Sequence, residues 1–447
     1  AVIHRWRGTE GATVLAMKGA PESVVPLCGL AESERAAASA AQSDAASRGL
    51  RLLAVAHARD AGDGEDLAAI RWELLGFVAL ADPVRATVPA AVALFRRAGI
   101  RVVMITGDHP ETARAIATQA GIDASTVITG AELAAMDPAT PHARLAHTQV
   151  FARVRPEDKL RLVRALRQAG EIVAMTGDGV NDAPALKAAH IGVAMGTRGS
   201  DVARESASLV LLEDDFSALV GTVRLGRRIY DNIRNAMRFL VAVHVPLAGM
   251  AFFPLAVGWP LFLFPVHVVF LEFVIDPACS LVFEAERSDA GIMERAPRPV
   301  GERIFSRESV ALALLLGLGV LAAVAAVLGV ALAAGRGDET ARTMAFVTLV
   351  CGDIALIFAN RRQDLTLLEM VLTRNWPLAW IVAGTAAALA LAIYFPAATR
   401  IFRFAPLSMA DFAMSAAIGF GSVLWYDAYK IARRRHAIGR GARASDP

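Results

Sequence analysis

The sequence predicts a mostly parallel, doubly wound α/β sheet followed by an all-α membrane domain. Strand-like and helical patterns alternate over residues 72–220, which is the rhythm of βαβ units. After about Arg234 the chain consists of long windows almost free of charged residues, and the mean hydropathy of all 447 residues is +0.45. Because that value is too high for an ordinary soluble protein, we expect a polar part and a membrane-inserted part.

Residues 1–71 open the polar part. Strand-like alternation leads to the string Lys18-Gly-Ala-Pro-Glu22, which precedes an Ala/Ser/Glu-rich helix ending near Ser47 and an apolar strand over residues 50–56. A lysine before Gly-Ala-Pro is, by itself, also explained as a solvated turn residue.

Two polar segments follow strands of the predicted parallel sheet. The predicted strands are residues 72–80, 101–106, 150–154, 171–176, 191–195 and 209–212, and the predicted helices are residues 88–98, 111–120 and 157–168. Thr106-Gly107-Asp108 follows one strand, and residues 176–182 follow another. Polar groups at the carboxyl ends of strands are where an open α/β sheet places its chemistry.

These segments suit a phosphate and a hard cation. Asp178 and Asp182 can bind Mg2+ through oxygen, and the neighbouring glycines let the backbone approach a phosphate closely. Lys159 falls in the first turn of a predicted helix, where a lysine opposes the helix dipole, so we expect it to reach an anion. Taken singly, Asp108 and Asp182 could equally cap helices in surface turns.

The residues from Thr176 to Ala185, Thr-Gly-Asp-Gly-Val-Asn-Asp-Ala-Pro-Ala, resemble the hinge motif of the P-type cation-transporting ATPases. Four further strings occur in that family's order at compatible spacings, and the resemblance, strongest to the calcium-pump-like subgroup, covers essentially the whole chain. Those strings are residues 18–22, 82–85, 99–108 and 151–154. The resemblance implies an α/β, haloacid-dehalogenase-like (Rossmann-type) phosphorylation domain over residues 72–220, preceded by the tail of an α+β nucleotide-binding domain over residues 1–71.

The resemblance also implies roles for individual residues, with ATP and Mg2+ as cofactors. Lys18, Arg51 and Arg153 would contact ATP. Asp178 would bind the catalytic Mg2+, with Asp182 in the same cluster. The phosphoryl group would be held by Thr106, Gly107, Lys159 and Asn181, with Asp108 beside it.

One expected motif is missing from the chain. The family phosphorylates the aspartate of an Asp-Lys-Thr-Gly-Thr string, and no such string occurs in this sequence, nor does the Thr-Gly-Glu dephosphorylation loop. We therefore expect the carboxyl-terminal half of a pump, which needs the amino-terminal half of the same pump as its partner and does not turn over alone.

The second half of the chain predicts a stalk and six membrane helices. Residues 221–238 form a basic helix, and no charged residue occurs from Phe239 to Leu271, a run that Pro254, Gly258 and Pro260 divide into two spans. The other predicted spans are residues 309–334, 341–360, 376–396 and 408–430, so that the membrane domain covers residues 239–432 and a basic tail covers residues 433–447.

The arginines predict the orientation of the chain in the lipid bilayer. They cluster in the loops after the second, fourth and sixth predicted spans, which places those loops, residues 1–238 and the carboxyl terminus in the cytoplasm. We expect a multi-pass protein of the cell membrane, the inner membrane of a bacterium. The formal net charge of +3 gives no indication of a nucleic-acid partner. Cys28, Cys279 and Cys351 are too dispersed for a disulfide framework or a zinc site.

Two acids in a predicted span indicate a cation site. Glu272 and Asp276 lie one helical turn apart near mid-membrane, where ionised groups are expensive and usually functional. Pro246 and Pro277 free carbonyl oxygens that could complete an oxygen cage. Protonated acids, or acids paired with histidines, are the structural alternative.

The resemblance assigns further positions to the transported ion. Asp276 matches the central aspartate of the family's ion-binding helix, and Asp353 matches a carboxylate of a later helix. His244 falls at an asparagine position and could equally be a ligand, a packed histidine or a proton-linked group. Ca2+, Mn2+ or another divalent cation remains open.

The function implied is ATP-driven cation transport through an aspartyl-phosphate intermediate. Two other classes stay open from the residues. One is a non-catalytic, membrane-bound regulatory protein that binds nucleotide or cation. The other is a membrane-anchored haloacid-dehalogenase-like phosphatase, which would need its own nucleophilic Asp-x-Asp or Asp-x-x-x-Thr strand.

Overall fold

The structure is a computed structural model. It describes residues 2–7, 13–59, 70–136, 143–289, 291–362, 365–366, 369–370 and 373–432. The chain divides into an α/β unit, residues 1–223 and 291–300, and a helical unit, residues 224–290 and 301–447. The predicted tail, residues 433–447, lies outside the described residues.

The α/β unit begins with a four-stranded antiparallel sheet, in which β1 (Val2–Arg7), β2 (Thr13–Gly19), β3 (Arg51–Arg59) and β4 (Glu73–Leu80) are neighbours in that order. A helical segment over Pro21–Val24 (α1) and a longer helix over Glu32–Ser47 (α2) follow β2, and Met17, Ala54 and Trp72 belong to the buried core of this part.

Strand β4 differs from the sequence prediction. The sequence predicts that residues 72–80 belong to the parallel sheet, but the structure pairs β4 antiparallel with β3, with Arg51 opposite Leu80 and His57 opposite Glu73. An apolar run identifies a strand but not its partner. The antiparallel sheet therefore extends beyond residue 71, where we placed the domain boundary.

The rest of the α/β unit alternates helices with short parallel strands. The helices are α3 (Val88–Arg97), α4 (Pro110–Gln119), α5 (Gly130–Ala135), α6 (Ala143–His147), α7 (Pro156–Gln168), α8 (Ala183–Ala188) and α9 (Asp201–Ser206). The strands are β5 (Met104–Ile105), β6 (Val127–Thr129), β7 (Val150–Ala152), β8 (Ala174–Gly177), β9 (Ile191–Met195) and β10 (Leu209–Leu211).

These strands form two three-stranded parallel sheets instead of the single predicted sheet, in the orders β5-β7-β6 and β10-β9-β8. Helix α7 links them, because Leu162 is buried in the core of the first and Val163 in the core of the second. Ile105 of β5 packs against both cores. The two sheets are therefore neighbours, with β5 and β8 each at an edge.

The segment 291–300 belongs to the α/β unit although it lies between two predicted spans. Ile292 and Met293 are buried with Phe95 of α3 and with Val220. This burial agrees with the predicted placement of that loop on the side of the polar domain.

The helical unit is built from long apolar helices. They are α10 (Ala218–Ala256), α11 (Pro265–Pro277), α12 (Arg307–Ala333), α13 (Asp338–Arg361) and α14 (Trp376–Tyr394), followed by the shorter α15 (Pro396–Phe402) and α16 (Met409–Gly421). A π-helical turn, Ala278–Val282, extends α11. The predicted stalk and first span form one continuous helix, α10, although Pro246 and Pro254 lie within it.

Among the described residues, five helices are long and apolar enough to cross a membrane, where we predicted six. The predicted span 408–430 is instead divided, because a turn at residues 422–423 separates α16 from a helical stretch over residues 424–432. Helix α13 is the centre of the bundle, since 94% of its apolar window is buried, against 33% for α10 and α12.

Candidate functional site

The loop after β5 is held in a defined conformation by its own polar groups. The Thr106 backbone N–H donates to the Phe151 carbonyl at 2.9 Å, and Val154 N–H donates to the Thr106 carbonyl at 3.1 Å. The Thr106 hydroxyl donates to Asp108 Oδ2 at 2.8 Å, and the Asp108 N–H donates back to Thr106 Oγ1 at 3.1 Å. Gly107, between them, is exposed, and no atom lies within 4 Å of the position that a Cβ would take.

The turn after β8 is organised around the carboxylate of Asp182. This side chain is 8% exposed, and its Oδ1 accepts a hydrogen bond from Lys159 Nζ at 2.6 Å. Its Oδ2 lies 3.4 Å from the backbone N–H groups of Asp178 and Gly179. Gly177 is required beside it, because a Cβ there would lie 2.6 Å from the Asp182 Cβ.

Lys159 therefore reaches an anion, as its position in the first turn of α7 predicted. The anion in this structure is Asp182, and the lysine side chain retains 23% exposure. The ion pair joins α7, which packs on both parallel sheets, to the loop after β8. The loop after β8 is thus attached to a helix that also packs in the core of the sheet containing β5.

Asp178 and Asn181 project differently from Asp182. Both residues are exposed, and the Ser200 N–H fixes the backbone of the turn by donating to the Asp178 carbonyl at 2.8 Å. Within the described ranges no hydrogen bond to the Asp178 carboxylate is found, so its oxygens are accessible to a hard cation. Asp178 fits the predicted Mg2+ role, whereas the Asp182 oxygens are engaged by Lys159 and the two N–H groups.

The residues expected to contact ATP are only partly brought together. Lys18 is exposed near the end of β2, and the side chain of Arg51 lies outside the described side chains. Arg153 forms an ion pair with Glu22, which lies in the same string as Lys18. The structure thus places the Lys18–Glu22 string beside the loop that follows β7.

Arg153 also has a backbone conformation that its surroundings impose. Its φ is +52°, and its N–H donates to the Asp108 carbonyl at 3.0 Å. A Cβ at Gly130 would lie 2.3 Å from the Arg153 carbonyl oxygen, so glycine is needed there. Neither Glu22 nor Gly130 was identified from the sequence, because both act through partners distant along the chain.

A capping box beside Gly130 begins α5. The Thr129 hydroxyl and N–H donate to Glu132 Oε2 at 2.9 and 2.8 Å. These bonds hold the pKa of Glu132 below its ordinary value because they favour the ionised form. The box therefore fixes the start of the helix that approaches the Arg153 carbonyl.

The four residues expected to bind the transported cation lie on three helices. Glu272 is half-buried and Asp276 is exposed on α11, His244 is exposed on α10, and Asp353 is 2% exposed on α13. Among the described residues, no group of three or more His, Cys, Asp or Glu side chains is placed to hold a metal ion. The structure therefore does not assemble these four residues into one cluster.

The alternative that histidines neutralise these acids gains no support. His244 Nδ1 lies 2.8 Å from the Leu240 carbonyl. His267 is fully buried, accepts the Phe264 N–H at Nδ1 at 3.1 Å, and donates from Nε2 to the Phe402 carbonyl at 2.8 Å. By contrast, Asp353 Oδ1 is buried and has no hydrogen-bond partner in the described parts of the chain.

Comparison with known proteins supports both halves of the chain. Residues 19–190 match the family described as haloacid dehalogenase-like hydrolase, and residues 260–432 match the family described as cation transporting ATPase, C-terminus. The chain is 36% identical over 430 residues to a probable cation-transporting ATPase F of Mycobacterium tuberculosis, covering 92% of this chain and 47% of the relative.

Two relatives named as calcium-transporting ATPases are similar over most of the chain. One, from Bacillus subtilis, is 35% identical over 382 residues, which is 83% of this chain and 42% of the relative. The other, the mouse calcium-transporting ATPase type 2C member 2, is 32% identical over 427 residues, which is 91% of this chain and 43% of the relative. The chain thus spans about half the length of the relatives it matches.

The two family matches agree with the sequence motifs and with the fold. The parallel sheets carry the strand-end motifs, and the long apolar helices make this a multi-pass membrane protein. The chain therefore belongs to the P-type cation-transporting ATPases, in their calcium-pump-like subgroup.

Proposed function

We propose that this chain is the carboxyl-terminal half of an ATP-driven cation pump that works through an aspartyl-phosphate intermediate. The observation that carries the proposal is the division of the parallel strands into two sheets with β5 and β8 at their edges. Thr106–Asp108 follows β5, and Asp178 follows β8. Each edge strand therefore leads into one of the two polar loops.

One additional parallel strand between β5 and β8 would join the two sheets. Its carboxyl end would lie between Thr106 and Asp178, which is where a phosphorylated aspartate is needed. Helix α7 and Ile105 already pack against the cores of both sheets, so the two edges are held near each other. We propose that the amino-terminal half of the pump supplies this strand with its Asp-Lys-Thr-Gly-Thr string.

The residues of this chain would then receive and orient the phosphoryl group. The Gly107 N–H and Asn181 would donate hydrogen bonds to its oxygens, as would the Thr106 hydroxyl after turning away from Asp108, and Lys159 would contribute positive charge. Asp182 orients Lys159 and the turn after β8 through its three hydrogen bonds. Asp178 holds Mg2+, which neutralises charge on the transferring phosphate. Lys18, Arg51 and Arg153 act on the nucleotide.

The cation would bind in the helical unit. Glu272 and Asp276 share one face of α11 and are the proposed donors. His244 of α10 and Asp353 of α13 would join them only in another arrangement of the helices, since the described structure does not gather the four side chains. Calcium is the ion named for two of the relatives, and Ca2+ or Mn2+ suits oxygen donors with one imidazole. Helix α10 runs without interruption from Ala218 to Ala256. It would therefore couple phosphoryl transfer in the α/β unit to cation binding in the helical unit.

Co-expression of the two halves tests where the nucleophile lies. We expect that membranes containing this chain together with the amino-terminal half of the pump incorporate label from radiolabelled ATP, and that the label is on the amino-terminal polypeptide. This chain alone should incorporate none, because it lacks the nucleophilic strand. Label on this chain, or none in the presence of both halves, would contradict the proposal.

The Asp276→Asn variant tests the cation site. In the intact pump we expect nucleotide binding to be retained, while cation-stimulated ATP hydrolysis falls by about 10- to 100-fold, because a carboxylate is replaced by a weaker, neutral oxygen donor. Hydrolysis measured against cation concentration checks this. The exposed acid Glu302 of the helical unit gives a control, Glu302→Gln, which should leave the curve unchanged. An unchanged curve for Asp276→Asn would exclude it as a ligand.

A further inference from the structure

A buried ion pair lies at the end of α13. The Arg361 side chain is 1% exposed and the Glu286 side chain 6%, and Arg361 Nε donates to Glu286 Oε2 at 2.7 Å. Arg361 Nη2 also donates to Thr373 Oγ1 at 3.3 Å, and Asn375 Nδ2 donates to Glu286 Oε2 at 3.2 Å. We refer to Glu286, Arg361, Thr373 and Asn375 as the Arg361 network.

Helix α10 is attached to this network through two amide side chains. Asn235 Nδ2 donates to the Arg361 carbonyl at 2.9 Å, and Asn232 Nδ2 donates to the Glu284 and Glu286 carbonyls, both at 3.3 Å. Asn232 and Asn235 are three residues apart and so share one face of α10. The helix therefore holds the backbone of the α13 end and of the segment after α11 at the same time.

The segment held in this way directly follows the two acids of the proposed cation site. Asp276 is in the last turn of α11, the π-helical turn Ala278–Val282 comes next, and Glu286 follows it. Within this stretch Ser280 Oγ donates to the Asp276 carbonyl at 2.8 Å, and Asn375 Nδ2 donates to the Val282 carbonyl at 3.3 Å. The Arg361 network thus fixes the end of the element that carries Asp276.

The network is not fully satisfied in this conformation. Arg361 Nη1 and Asn235 Oδ1 are both buried and, in the part of the chain that the structure describes, have no hydrogen-bond partner. Buried polar atoms in folded proteins usually have partners, and a half-satisfied buried network is unfavourable. A shift of α10 against the network would therefore break no hydrogen bond at either of these two atoms.

We propose that the Arg361 network transmits movement of α10 to α11, and that Arg361, Glu286 and Asn235 are positioning residues for cation binding at Glu272 and Asp276. This inference rests on the proposed function. The network touches neither the cation site nor the phosphoryl site. The network instead determines the position of the carboxyl-terminal end of α11 when α10 moves.

Two variants of the intact pump test the inference. Asn235→Ala keeps the ion pair but detaches α10 from the Arg361 carbonyl. The double variant Glu286→Leu with Arg361→Met removes both charges together, which folded proteins tolerate better than loss of one partner. In both we expect maximal phosphoenzyme formation from ATP to be retained, while the cation concentration for half-maximal formation rises by about 10-fold or more.

A matched control breaks an ion pair elsewhere in the helical unit. Arg336 and Asp411 pair at 2.9 Å with partly exposed side chains, and Asp411→Asn should leave the cation concentration unchanged. If Asn235→Ala behaves as wild type, the inference is wrong, whether or not the double variant accumulates in the membrane. If the wild-type pump forms no cation-dependent phosphoenzyme at all, the proposed function fails instead, so the two failures are distinguishable.

Discussion

Replacing Asp178 with Asn in the intact pump is expected to lower Mg2+-dependent phosphoenzyme formation by about 100- to 1000-fold. The Asp178 carboxylate is exposed and accepts no hydrogen bond within the described ranges, so its negative charge is available to the metal ion. Its backbone is fixed independently of that side chain, by the Ser200 N–H on its carbonyl and by its own N–H toward Asp182. The amide should therefore preserve the turn and remove the charge.

The measurement is label incorporated from radiolabelled ATP as a function of Mg2+ concentration. Asp201→Asn is a matched control, because Asp201 is an exposed acid of the same unit whose side chain pairs only with Arg204 on its own short helix among the described residues. It should label normally. Normal labelling of Asp178→Asn would show that the turn after β8 is a structural cap, and the proposed phosphoryl-transfer mechanism would be wrong.

The parts of the fold that depend on local pattern were predictable. Strand β9 was placed at residues 191–195, as the structure has it, because an apolar run between turn signals is a strong signal for a buried strand. The pairing of β4 with β3 was not predicted, since the same pattern fits either sheet and the partner is chosen by tertiary contacts. The local sequence thus identified β4 as a strand but did not identify β3 as the strand that pairs with it.

In the membrane half, too, the local sequence predicted the long helices but not the interruption of the last predicted span. Hydropathy identified the long helices α12, α13 and α14 because each needs a run of apolar residues. It did not reveal the turn at residues 422–423, which is as apolar in its surroundings as the helices beside it. The only local indication is the pair Gly419 and Gly421 just before the turn, since glycine weakens a helix.

The candidate site could be located from the sequence but its connections could not. Thr106, Asp108 and Asp178 follow strands, so their motif and position are visible together. Contacts between residues far apart in sequence carry no local signal, and they decide which groups are engaged. The ion pairs Lys159–Asp182, Arg153–Glu22 and Arg361–Glu286 are of this kind.

Replacing Lys159 with Met should reduce both stability and phosphoenzyme formation. Asp182 is nearly buried, and loss of the ammonium group 2.6 Å from its Oδ1 leaves its negative charge without a positively charged partner. We expect the free energy of unfolding of the α/β unit to fall by about 2 kcal/mol, at the modest end for an ion pair whose lysine keeps some exposure. We also expect phosphoenzyme formation to fall by about 100-fold, as for loss of one group that stabilises charge in the transition state.

A second substitution separates these two effects. In the double variant Lys159→Met with Asp182→Asn, no unpaired charge remains, and an amide oxygen can still accept the Asp178 and Gly179 N–H groups. Thermal unfolding should therefore return toward wild type, while label from ATP should stay low because the phosphoryl group still lacks its cation. Lys187→Met, an exposed lysine of α8, controls for loss of charge alone. Recovery of labelling in the double variant would mean that Lys159 serves only to neutralise Asp182.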